Sequence, residues 1–247
     1  MRKFILLLFL IPFQFFLQAQ TAGEIIKKAD ERMQGKSSQG TMTMKIIRPK
    51  WTREITMKSW SKGTDYSMVL ITAPARDQGS GFLKRDKELW SWQPSIDRVI
   101  KMPPSMMMQS WMGSDFTNDD LVKQSSIVND FDHFLEKDTV IQGYEAWKIV
   151  LKPKEEAAVV WGKIEAYISK KDFYELLFNY YDEDEYLINT MILSEIKLLG
   201  DRMVPTKMEM IPAENPEQKT IILYQDFAYN VELDESFFSI QNLKQIR

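Results

Sequence analysis

The sequence predicts a mainly β protein with a few helices: a curved antiparallel sheet or barrel with helices packed against it. Three observations predict this. Apolar and polar residues alternate with a period of two through one segment after another. No ten-to-fifteen-residue helical patterns separate those segments, so parallel βαβ units are excluded. About ten strands in one sheet must curl or close on themselves.

Taken in order, the elements begin with a helix. Thr21 and Glu24 have capping-box spacing. Ile25, Ile26, Ala29 and Met33 form one apolar stripe, Lys27, Lys28, Asp30 and Glu31 cover the other side, and Gly35 supplies a stop. Strands follow. Met42, Met44 and Ile46 alternate with Thr41, Thr43 and Lys45; Ile55 and Met57 alternate with Glu54, Thr56 and Lys58; Tyr66, Met68 and Leu70 alternate with Asp65, Ser67 and Val69. Further strands are predicted over Glu88–Gln93, Arg98–Met102, Ala146–Leu151, Lys163–Ser169, Tyr174–Tyr180, Leu187–Leu199, Met203–Ile211 and Lys219–Phe227. Residues 102 to 137 break the pattern. They hold Pro103-Pro104, a methionine-rich run to Gly113, and a short helical candidate from Asn118 to Gln124, which Thr117 and Asp120 cap.

Residues 1–19 read as a cleaved secretory signal peptide, with Arg2 and Lys3 before an apolar stretch from Phe4 to Phe16 and cleavage after Ala19. Residues 20–247 are then expected to form a single domain in the periplasm. Gln20 stands where a lipoprotein would carry cysteine, so no lipid anchor is expected. The chain has no cysteine at all, so a core rather than disulfides must stabilise it. The formal net charge of −3, more negative once Arg2 and Lys3 are gone, comes without a basic face, which argues against nucleic acid.

Chemistry-bearing residues are sparse. His133 is the sole histidine, so neither a histidine-based triad nor a zinc site is expected, and no cofactor is implied. Asp115, Asp119 and Asp120 cluster, but the last two read as first-turn charge on a helix. Asp182, Glu183, Asp184 and Glu185 read as a solvated hairpin turn. A carboxylate-dependent hydrolase would rest on Asp115 or Asp119. Gly79-Ser80-Gly81 precedes a strand and reads as a turn or bulge. Of the 15 methionines, Met102, Met106, Met107, Met108 and Met112 crowd into one segment beside Trp111. Methionine repacks around variable shapes, so this segment is either core filler or a cover over a cavity. Met42, Met44, Met57 and Met68 would line the concave face beneath it. Trp90 and Trp92 share one strand face, suited to a cavity mouth or to plain packing.

A family resemblance becomes specific here. Gly81-Phe82-Leu83, Glu88-Leu89-Trp90-Ser91-Trp92-Gln93-Pro94 and Asp97-Arg98-Val99-Ile100-Lys101-Met102 resemble the central block of the outer-membrane lipoprotein-sorting, or LolA-like, proteins. Trp111-Met112-Gly113-Ser114-Asp115-Phe116 with Asp119-Asp120-Leu121 resembles the following segment of a longer branch. The opening helix, the Pro205 strand and Leu233-Asp234-Glu235-Ser236-Phe237-Phe238 also fit. The resemblance implies a half-open barrel whose apolar concave face is covered by helices. It implies a carrier, not an enzyme, that shuttles acyl chains of lipoproteins or free lipids toward the outer membrane, with an inner-membrane transporter and an outer-membrane acceptor as partners. A lipid- or protein-sensing interaction module, or a transporter accessory, is the alternative. The expected lipid contacts on the strands are Met42, Met44, Ile55, Met57, Met68 and Leu70, with Trp90 and Trp92. Those of the cover are Met106, Met107, Met108, Trp111 and Met112.

Overall fold

The computed structural model describes residues 20–86, 88–120, 126–157 and 159–246; the expected leader, residues 1–19, lies outside them. The first helix, α1 (Ala22–Gln34), starts at the reciprocal cap its sequence predicts. Glu24 N–H donates to Thr21 Oγ1 at 3.2 Å, and Thr21 N–H donates to Glu24 Oε2 at 2.9 Å. Gly35 ends it at φ 67°, its N–H bonded to the Glu31 carbonyl.

Fourteen strands follow among the described residues: β1 (Ser37–Arg48), β2 (Trp51–Lys62), β3 (Tyr66–Ala73), β4 (Gly81–Arg85), β5 (Glu88–Gln93), β6 (Arg98–Lys101), β7 (Phe131–Leu135), β8 (Thr139–Ile141), β9 (Tyr144–Pro153), β10 (Lys163–Ser169), β11 (Glu175–Tyr181), β12 (Leu187–Leu199), β13 (Arg202–Pro212) and β14 (Lys219–Tyr229). They make one antiparallel sheet in the order β6-β5-β4-β3-β2-β1-β14-β13-β12-β11-β10-β9-β7, with β8 also on β9. Sequence neighbours are thus mostly spatial neighbours. The exception that builds the fold is β1 against β14, which joins the two halves in the middle. The sheet ends at β6 and β7, so it curves without closing.

Register then assigns the faces. Met42 pairs with Met57 and Tyr224, and Met44 with Ile55 and Ile222. Met191 pairs with Met210 and Phe178. These inward side chains, with Ile25, Ile26 and Ala29 of α1, make the main core. Where β1 and β14 meet, a Cβ on Gly40 would sit 2.2 Å from the Phe227 ring, so only glycine lets that ring lie across the neighbouring strand.

The opposite face of β3–β5 carries a second, smaller core. Met68, Leu83 and Trp92 pack there against Phe238 and against Leu243 of the closing helix α2 (Ile240–Gln245). Gly81 permits that contact, because a Cβ would stand 2.7 Å from Leu243 Cδ1. So α1 covers the concave face and α2 packs outside. Of the helical candidate Asn118–Gln124, residues 118–120 are helical; 121–125 lie outside the described residues.

Candidate functional site

Between the concave face and its cover lies a hollow of about 230 Å³. The sheet supplies much of its apolar wall, including Met42, Met57, Phe178, Met191 and Met210, while Trp111 and Phe116 close it from the cover and Met33 from α1. An apolar cavity of about 150 Å³ accommodates benzene, and drug-sized ligands need roughly 300 Å³ or more. The space therefore accepts a short hydrocarbon segment as it stands. A long chain requires the cover to move.

The cover is built from the irregular run after β6. Met107 and Trp111 are buried, Met106 and Met112 pack against the main core, and Met108 is 69% exposed. The Trp111 ring lies 5.2 Å from that of Phe82. Its backbone N–H donates to the Phe116 carbonyl at 2.8 Å. Its indole Nε1 is buried with no hydrogen-bond partner among the described residues.

Two arginines of the sheet hold the cover down. Arg48 donates Nη1 to Asp115 Oδ2 and Nη2 to the Gly113 carbonyl, and Arg53 Nη1 donates to the Met112 carbonyl at 3.1 Å. Thr220 Oγ1 accepts from Asp115 N–H and donates to Asp115 Oδ2. Asp115 is thereby committed to a latch, which removes it from any hydrolytic role built on a free carboxylate.

The hollow is not purely apolar. Asp30, Asp120 and Glu175 border it, and among the described residues no lysine or arginine does. Burial pushes Asp120 up to about 6, against the bonds it accepts from Thr117 and from Trp161 Nε1 at 3.1 Å. Burial, with Glu31 beside it, pushes Asp30 up to about 6 despite the bond from Gln34. Glu175 goes up to about 8, by burial first and by the Asp30 charge second. Its carboxyl accepts no hydrogen bond recorded among the described residues.

Comparison with known proteins places this architecture. A protein-family model described as "uncharacterized protein" matches residues 63–245, most of the chain. A DUF1329 family protein from Desulfovibrio piger ATCC 29098 superposes with a TM-score of 0.81 at 21% identity, over 90% of this chain and 97% of that one. A domain described as outer membrane lipoprotein-sorting, from Vibrio parahaemolyticus, gives 0.80 at 20% identity, over 90% and 98%. A LolA superfamily protein from Nitrosomonas europaea gives 0.79 at 22% identity, over 91% and 100%. The chain belongs to the family of that model, and its fold is LolA-like. No curated protein matches it.

Within this LolA-like frame the residues expected from sequence divide into three groups. Met42, Met57 and Trp111 border the hollow. Met44, Ile55 and Met107 lie in the same core without bordering it, and Met106 and Met112 pack at its edge. Met68, Trp90 and Trp92 lie on the other face, Leu70 shares the phase of Met68 on β3 and pairs with Gly81, and Met108 points outward. The physical reason is visible in β3, where Met68, Val69, Leu70 and Ile71 are all buried. A strand buried on both faces has no polar side to fix its phase. Val69 and Ile71 turn out to be the inward pair. Trp90 and Trp92 do share a face, but they pack under the C-terminal segment.

Met191, Met208, Met210, Tyr224 and Glu175 escaped the sequence reading of the LolA-like cavity. The signal for two of them was present, since Met208 and Met210 alternate with Lys207 and Glu209. His133 ties β7 to the loop before it, its Nε2 lying 2.6 Å from the Ile127 carbonyl oxygen. Asp182 does form the predicted turn, accepting from the N–H groups of Asp184 and Tyr186. Among the described residues no group of three or more His, Cys, Asp or Glu could hold a metal, and no helix is long and apolar enough to cross a membrane.

Proposed function

We propose that this LolA-like chain is a periplasmic carrier that takes acyl chains of lipids or lipoproteins into the hollow and conveys them toward the outer membrane. The observation that supports this reading is the methionine-rich hollow lying beneath a separately latched cover. Each methylene withdrawn from water is worth about 0.8 kcal/mol, so a fourteen-carbon chain represents about 11 kcal/mol. A carrier must recover much of this and still let go. Trp111 and Phe116 occupy part of the space when no cargo is present, so cover closure competes with binding and lowers net affinity. Release then needs only a bias toward the closed state. In this reading the protein is a carrier rather than an enzyme, and an inner-membrane transporter and an outer-membrane acceptor stand at either end of its route.

The test is native mass spectrometry of the protein purified from its own periplasm. Adducts with the masses of acylated lipid or lipoprotein are expected, and they should vanish when Met42, Met57 and Met191 are replaced by serine. A ligand-free spectrum from freshly prepared, folded protein would defeat the proposal. The apolar side chains Phe134, Leu135 and Val140, exposed on the short strands β7 and β8 at one end of the sheet, favour a second reading. In it the same chain docks on a membrane partner as a sensing module or transporter accessory, which pull-down from solubilised membranes would detect.

A further inference from the structure

Resting on the carrier reading, we infer that the hollow is selective for an amphiphile whose polar end is a primary ammonium, which Glu175 receives with Asp30 beside it. The lining contains three carboxyl groups and, among the described residues, no cationic side chain. A fatty-acid carboxylate or a phosphate would enter a site that already disfavours negative charge. An alkyl chain ending in an ammonium meets the reverse condition.

Glu175 is the group that sets the polarity. It is 8% exposed and borders the hollow from the first residue of β11. Its carboxyl accepts no recorded hydrogen bond within the described residues, whereas Asp120 is engaged by Thr117 and Trp161, and Asp30 by Gln34. A carboxyl that borders an oily hollow without a protein donor keeps its acceptor capacity unused, and a ligand donor would fill it. The other ionisable groups around it are Asp30 on α1, Tyr180 on its own strand and Tyr224 on β14. Arg32, the guanidinium on the facing side of α1, is occupied with the Tyr174 hydroxyl and ring and with the Met203 carbonyl.

The proton account makes the proposal specific. With its carboxyl pushed up to about 8, Glu175 is mainly neutral at pH 7 in the empty protein. An arriving ammonium stabilises the carboxylate, so the carboxyl O–H bond breaks and its proton passes to buffer. An alcohol of equal chain length gives no such release, and a carboxylate ligand would instead promote proton uptake.

The experiment is calorimetric titration of the folded, full chain with octylammonium, 1-octanol and octanoate at pH 7, in two buffers of different ionisation enthalpy. Octylammonium is expected to bind about tenfold or more tightly than octanoate, the worth of one charge-assisted bond, with release of most of one proton. In Glu175→Gln the release should disappear and the preference collapse, and Asp30→Asn should narrow it. Octanoate binding as tightly as octylammonium, or ammonium binding without proton release, would overturn the inference and leave the carrier reading standing. Failure of all three octyl ligands to bind would remove both.

Discussion

Both terminal nitrogens of Arg48 grip the Asp115 carboxylate, Nη1 to Oδ2 and Nη2 to Oδ1, each at 3.0 Å. The pair is largely buried, at 14% and 8% side-chain exposure, and it links β1 to the irregular stretch that carries Trp111 and Phe116 over the hollow. A carrier's cover must be held and yet be able to open. A paired charge suits that task, because it is stable when seated and finds water when it leaves.

Removing one partner of that pair should therefore loosen the cover selectively. Asp115→Asn leaves a mostly buried guanidinium without its counter-charge, a change that costs about 3–5 kcal/mol in buried pairs. Amide exchange at Trp111, whose N–H is bonded to the Phe116 carbonyl, is expected to accelerate by about 10²-fold or more. Amides in β12 and β13 should keep their protection. Equal acceleration everywhere would mean that the pair supports the whole fold rather than the cover.

The three consecutive methionines of the cover should not be equivalent. Replacing Met106, Met107 and Met108 together by serine is expected to weaken binding of a fluorescent fatty-acid probe. Met107 is buried and Met108 is 69% exposed, so Met107→Ser should account for much of that loss, about tenfold, by loosening the packing of the cover rather than by removing a wall of the hollow. Met108→Ser alone should leave both affinity and stability within about 0.5 kcal/mol of the parent. A probe affinity unchanged in the folded triple variant would remove the cover from the binding site.

Gly81 and Leu243 should behave as a coupled pair. A methyl group at position 81 would stand 2.7 Å from Leu243 Cδ1, so Gly81→Ala is expected to cost about 1–3 kcal/mol through overpacking. In a Leu243→Ala background the same substitution should be nearly free, giving a measurable coupling energy in a urea-denaturation cycle. Strict additivity would show that the helix α2 yields without cost.

Stability should fall as pH rises toward neutrality and beyond. Asp30 and Asp120 are raised from 3.8 to about 6, and Glu175 from 4.5 to about 8, with burial the leading cause in each. The folded chain thus keeps protons that the unfolded chain has released. That stabilisation is whole below the unfolded values and drains away as pH climbs through the folded ones. Asp77, Glu165 and Glu209 are lowered, against the pull of burial, by bonds to Arg53, Lys148 and Lys207, and they act only under acid conditions. Between pH 6.5 and 8 Glu175 is left as the main contributor, at up to about 1.4 kcal/mol per pH step. Urea midpoints for the parent should decline across that window, and those of Glu175→Gln should stay level.

The sequence by itself determined most of the strands, though not β7 or β8, the first helix with its cap, and the presence of a methionine-rich segment that belongs to neither class. Those features are local: a period of two, a Thr-x-x-Glu spacing and a pair of prolines act within a few residues of chain. It also carried the LolA-like block from Gly81 to Met102. Tertiary structure alone decided which face of β3 looks into the hollow, since Met68 and Val69 are both apolar and both buried, and only their packing distinguishes them. It likewise decided that Glu175, an ordinary residue at a strand start, stands inside an oily space. Burial and charge proximity arise from chain segments far apart in sequence, brought together when β1 meets β14.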